Sequence, residues 1–322
     1  MAVRTSRYRV SYQCFAKLRI LECDQWVLGI SDSGGMAAEL DITGGELDCG
    51  DDVRAHHELQ QQHEKRCTNV TTRYVLDGNA LGMTATEAFR RRRPVEFNMP
   101  DCIVVSIGYP ETIEDSPYST QRSYDFQPPV CDDCPSPTVP GVQSNANEFI
   151  EFIDTALRPW VQETAFPKAD FDRDALYGHS FGGLFVLYAL TVRPDLFDTF
   201  LSASPALFFN NDYVFNNTDF LAPLTSPSAN NTSNTTKPAF QISYGALEQN
   251  LVQRRTETDE EFAFRQSILV PQRMTDLSQK LYSTLEDSPA LRDISIHEYP
   301  FSDHAAVGAA ALADGIDYFL DW

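Results

Sequence analysis

The chain has 322 residues, with 25 Lys and Arg against 46 Asp and Glu, a formal net charge of −21. Apolar residues make up 42% and charged residues 22%, proportions of an ordinary globular protein that exclude disorder of the whole chain. Its acidity repels phosphate backbones, so no nucleic-acid partner is expected, and no apolar run approaches the ~18 residues of a membrane span.

In chain order, the opening MAVRTSRYRV is basic but is not followed by the apolar core of a secretory signal. A soluble, cytoplasmic protein is expected; the acid-free start up to Glu22 also fits a mitochondrial presequence. Residues 1–71 are hard to read and are assigned to the first strands of a sheet, with a strand at 26–30 and turns over 31–50. His56, His57, His63 and Cys67 suggest a metal cluster, but their polar, helix-prone surroundings read better as a solvated helix. Residues 72–322 form the main domain. A strand at 73–76 ends in the turn Asp77-Gly78-Asn79, and a helix over 84–93 is stopped by Pro94. Arg90 to Arg93 are read as cations favoured at a helix C-terminus rather than as an anion site.

The apolar run 102–108 predicts a strand buried on both faces. Residues 111–144 form a long surface loop. Its Cys131–Cys134 pair lacks the helix start that a redox dithiol needs. A helix over 147–163, a short strand at 176–178, a helix over 181–191 and strands at 199–203 and 240–244 follow. An Asn/Ser/Thr-rich insertion occupies 225–237. The chain closes with a helical stretch over 257–285, a strand at 294–299 and a helix over 305–319. Alternating strands and helices predict an α/β fold, a mainly parallel sheet with helices on both faces.

The chemistry centres on Tyr177-Gly178-His179-Ser180-Phe181-Gly182-Gly183, which contains G-x-S-x-G between an apolar strand and a helix. A strand turning directly into a helix needs glycines on either side of the serine and exposes its Oγ above the sheet. A serine hydroxyl needs a base, and this architecture places acid and then histidine later in the chain. Of the two late histidines, His304 lies in a loop beyond the last strand, whereas His297 lies inside it. Glu248, just past the strand at 240–244, is the expected acid, ahead of Asp259 and Asp276. Two backbone N–H groups should bind the oxyanion: those of Phe181 and Asn79. This chemistry needs no metal and no organic cofactor.

These residues, with Tyr74 to Asn79, Val104 to Tyr109, Arg122 to Phe126, Gly245 to Glu248 and Phe301 to His304, resemble the esterase family of the α/β-hydrolase superfamily. The likeness covers about residues 72–320 and is to its ferric-siderophore esterase branch, of fungal type. The resemblance implies an α/β-hydrolase fold and hydrolysis of ester bonds in a small-molecule siderophore. Mycobacterial mycolyltransferases, in the same superfamily, use a Glu as triad acid and the residue after the Asp-Gly turn in the oxyanion hole, which implies Glu248 and Asn79. Arg122, Asp77 and His179 are the expected substrate contacts, with Arg122 alternatively paired to Asp125 or another loop acid. A small-acyl esterase such as an S-formylglutathione hydrolase, a carbohydrate acyl esterase, an acyltransferase and a non-catalytic binding relative remain alternatives.

Overall fold

The computed structural model describes residues 9–15, 26–30, 40–42, 67–97, 99–110, 112–130, 143–226 and 237–321. His56, His57 and His63, the Cys131–Cys134 pair and most of the 225–237 insertion lie outside them, while Cys67 opens a strand. Among the described residues the strands are Arg9–Phe15 (β1), Trp26–Ile30 (β2), Leu40–Ile42 (β3), Cys67–Val75 (β4), Cys102–Gly108 (β5), Ala169–His179 (β6), Thr199–Ala203 (β7), Ala239–Gly245 (β8) and Asp293–Tyr299 (β9). They form one sheet in the order β3-β2-β1-β5-β4-β6-β7-β8-β9. Strands β5, β4, β6, β7, β8 and β9 are parallel, while β1 to β3 add an antiparallel extension beside β5.

The helices are Gly78–Arg92 (α1), Arg122–Asp125 (α2), Ala146–Phe152 (α3), Phe181–Val192 (α4), Phe209–Asn216 (α5), Ala222–Thr225 (α6), Asp259–Leu269 (α7), Met274–Leu285 (α8) and His304–Asp321 (α9). The period-two alternation of strand side chains sorts the core onto two faces. Tyr74, Ile103, Val105, Leu176 and Phe200 pack with α3, α4 and α8. Val75, Val104, Ala175, Tyr177 and Leu201 pack with α1 and α9. From β4 the chain goes to β5 on one side and later to β6 on the other, so the order reverses at β4. The crevice at the carboxyl ends of β4 and β6 is where such sheets place ligands.

Several elements differ in extent from expectation. Strand β6 begins at Ala169, not 176, because its first half alternates charged, partly exposed residues with apolar ones. Helix α1 begins at Gly78, six residues before the expected start, since Asp77 adopts a left-handed conformation (φ 52°) that lets the helix follow the turn directly. The helical stretch 257–285 is two helices. Pro271 sits in a 3-10 turn, Val270–Gln272, and Arg273 (φ 48°) breaks the path before α8. The 147–163 helix leaves α geometry after Phe152 and continues as π-helical turns at Ile153–Leu157 and Trp160–Ala165.

Candidate active site

Ser180 stands between β6 and α4 with φ 60° and ψ −119°, a backbone conformation that a residue with a side chain adopts only at a cost. Backbone bonds hold it there. Its N–H donates to the Ala203 carbonyl at 3.0 Å, and its own carbonyl accepts from Leu184 N at 3.0 Å and Ala206 N at 3.1 Å. A Cβ on Gly178 would lie 2.2 Å from the Gly182 carbonyl oxygen, so strand and helix approach this closely only because position 178 has no side chain.

His304 opens α9, directly after the loop that leaves β9. Its Nε2 is 3.0 Å from Ser180 Oγ, and its Nδ1 is 2.5 Å from Glu248 Oε2. An ionised carboxylate only accepts, so Nδ1 carries the proton and Nε2 is left to accept the serine hydroxyl. The Glu248 side chain is 1% exposed. Its second oxygen, Oε1, accepts from Gly245 N at 2.6 Å and from Ser204 Oγ at 2.6 Å, which spreads the charge over three donors in all. Ser204 is the functional residue the sequence reading missed. It carries no motif, and only the register of β7 beside β8 places it against Glu248.

Asp77 and Arg122 lie beside the start of α4. Arg122 donates from Nε to Asp77 Oδ1 and from Nη2 to Asp77 Oδ2, both at 2.8 Å, with side chains only 13% and 2% exposed. Its guanidinium also lies against the rings of Tyr118, Phe126 and Phe181. Asp125, the other candidate partner, accepts instead from Tyr109 Oη and Asn145 Nδ2. Asn79 fastens the turn to the end of β5, its Nδ2 donating to Tyr109 O at 3.0 Å and its Oδ1 accepting from Tyr109 N at 2.7 Å. A Cβ on Gly182 would be 3.5 Å from Asp77 Oδ2, so the first turns of α1 and α4 are neighbours. The backbone N–H groups of Asn79 and Phe181 sit in those first turns, where no helical carbonyl is available to them.

His179 is buried, and its ring centroid lies 4.5 Å from that of His304. Burial, with the neighbouring His304 ring and the Arg122 cation adding to it, lowers its pKa to about 3, so it is neutral at physiological pH. It supports the His304 ring from within the fold. The rival residues lie elsewhere. His297 is exposed on β9 beside Tyr299, Asp259 starts α7, and Asp276 on α8 accepts from Gln249. Of the arginine run, Arg90 meets Glu87, Arg92 meets Glu96 and Asp317, and Arg93 meets Asp101.

The chain is 39% identical over 249 residues to the siderophore enterobactin esterase of Emericella nidulans, a match covering 76% of this chain and 80% of that protein. It is 32% identical over 251 residues to the siderophore triacetylfusarinine C esterase of Aspergillus fumigatus, covering 77% and 81%. The structure of the siderophore hydrolase EstA from Aspergillus nidulans superposes with a TM-score of 0.71 at 39% identity, over 79% of this chain and 83% of that one, and the shared fold is that of the α/β-hydrolases. Among the described residues no helix is long and apolar enough to cross a membrane. Residues 61–268 match the family described as "Putative esterase", and the chain belongs to this Esterase family.

Proposed function

We propose that the protein hydrolyses the ester bonds of a siderophore, a bulky small-molecule chelator, through an acyl-enzyme on Ser180. The observation that carries this reading is the hydrogen-bonded chain Ser180–His304–Glu248, at 3.0 Å and 2.5 Å. Ser180 Oγ attacks the ester carbonyl carbon while His304 Nε2 takes its proton, and Glu248 stabilises the imidazolium that results. The N–H groups of Phe181 and Asn79 receive the oxyanion. Collapse of the tetrahedral intermediate breaks the C–O bond, and His304 returns its proton to the departing alcohol. Water, deprotonated by the same Nε2, then releases the acid and frees Ser180.

In this reading Asp77 and Arg122 do not bind substrate; they hold the Asn79 turn in place, and His179 braces His304. The siderophore as substrate rests on the similarity to the fungal esterases named above. The same reading sets the reaction in the cytoplasm, where a ferric complex is opened after uptake, and cell fractionation tests that setting.

Ser180→Ala should lower kcat on a simple acyl ester by at least about 10³-fold, and a serine-directed phosphonate should label the native protein at Ser180. Retention of more than a few per cent of activity, or labelling elsewhere, would overturn the assignment. The order of kcat/KM between a ferric siderophore and a short acyl ester tests the substrate class.

A further inference from the structure

We propose that Arg254 makes this site selective for anionic ferric complexes, those of tris-catecholate esters, over neutral ones. The inference rests on the siderophore reading and deepens it. A cleft of about 190 Å³ adjoins the triad, lined among others by Glu248, Asp303, His304, Arg254, Arg265 and Met274. It is reached by the segment that leaves Glu248 and runs to α7, so whatever occupies it lies beside the imidazole that delivers the proton to the departing alcohol.

The two cations of this cleft differ in what they have left to offer. Arg265 donates from Nε and Nη2 to both oxygens of Glu257, each at 2.7 Å, and from Nη2 to the Val252 carbonyl at 2.9 Å. Its fork is spent. Among the described residues the Arg254 guanidinium reaches only Asp303 Oδ2, at 3.4 Å, with side chains 65% and 44% exposed. A single long contact between exposed groups is weak, so this guanidinium can turn to a ligand at little cost. Asp303 does not depend on it, because its Oδ1 caps the start of α9 through Ala306 N at 3.1 Å.

Charge gives this cation a task. Iron(III) held by three doubly ionised catechols carries three negative charges, whereas three hydroxamates leave the complex neutral. A trianion approaching a molecule of net charge −21 meets repulsion that a cation at the point of contact must offset. The planar guanidinium fork matches paired catecholate oxygens. A neutral hydroxamate complex needs no such offset.

The test compares kcat/KM for native protein, Arg254→Gln and Arg254→Lys on ferric enterobactin, a tris-catecholate ester, and ferric triacetylfusarinine C, a tris-hydroxamate ester. The ratio of the first to the second should fall roughly ten-fold in Arg254→Gln, through KM rather than kcat, and recover in large part in Arg254→Lys. Added salt should lower the native ratio more than that of Arg254→Gln. An unchanged ratio, or equal losses on both complexes with a lowered Tm, would overturn the proposal. Binding of the same two complexes to Ser180→Ala with and without Arg254→Gln, followed by tryptophan quenching, separates the two readings. If native protein cleaves neither complex, the siderophore assignment fails. An Arg254-dependent preference for the trianion in binding would still uphold the anion site, and its absence would end it.

Discussion

Arg122 and Asp77 meet across 45 residues of sequence, and their buried two-bond pairing settles how Arg122 behaves when removed. Arg122→Ala leaves the Asp77 carboxylate buried without its cation, a change that costs about 3–5 kcal/mol. The Asn79 turn loosens with it, so kcat/KM should fall to a similar degree on a bulky siderophore ester and on a small acyl ester, together with a lower Tm. A selective loss on the bulky ester at unchanged Tm would make Arg122 a substrate contact instead. Ser180 was legible at this scale because its chemistry imposes a local pattern of glycines. Glu248 and His304 were legible because chain order in the architecture restricts them to the exits of late strands. Ser204 and the Asp77 partner of Arg122 were not, since a serine or an arginine shows no sign in sequence of which distant carboxylate it faces.

At the scale of elements, β6, the serine turn and α4 act as one unit whose closest approach is Gly178 against Gly182. Adding a methyl group at position 178 puts an atom 2.2 Å from the Gly182 carbonyl oxygen and 2.4 Å from its carbon. Neither is the end of a flexible side chain. Gly178→Ala should therefore destabilise the protein by about 1–3 kcal/mol or more and displace Ser180, seen as a lowered urea midpoint and slower phosphonate labelling. Labelling at the native rate with an unchanged midpoint would refute this account of the turn. Strands β5 and β7 were read at full length because every residue in them is buried, which leaves runs free of charged side chains. The first half of β6 escaped notice because β7 pairs with it only from Ala175 onward and its exposed positions carry Asp170 and Asp172. The break at Arg273 depends on a left-handed backbone at a residue that favours helices, which no propensity announces.

For the molecule as a whole, two buried groups oppose each other in acid. The pKa of His179 is about 3 in the fold against 6.5 in its ordinary state. Stability from keeping it neutral is complete above pH 6.5 and is lost as pH falls towards 3, about 2 kcal/mol of it by pH 5. Asp174 is raised from 3.8 to about 6, chiefly by burial and also by the Asp198 carboxylate, with Arg158 opposing both. The fold therefore binds that proton first, and stability rises as pH falls from 6 to 3.8, by about 1 kcal/mol at pH 5. Between pH 7 and pH 5, His179→Gln should gain about 2 kcal/mol relative to native protein and Asp174→Asn should lose about 1 kcal/mol. Urea midpoints at the two pH values measure both, and parallel shifts in all three proteins would refute the opposition.

The amino-acid sequence by itself determined the layered α/β architecture, the nucleophile turn and the order of acid and base. Buried strands, strained turns and catalytic order each leave a mark within a few residues or in the succession of elements. Tertiary structure alone decided that the Glu248 carboxylate is held by Ser204 and Gly245, that His179 is a neutral brace under His304, and that Arg122 is committed to Asp77 while Arg254 is not. Burial and partner choice arise from strand register and helix packing between segments far apart in the chain. The same arginine can be a buried strut or an open cation according to which carboxylate the fold brings within reach.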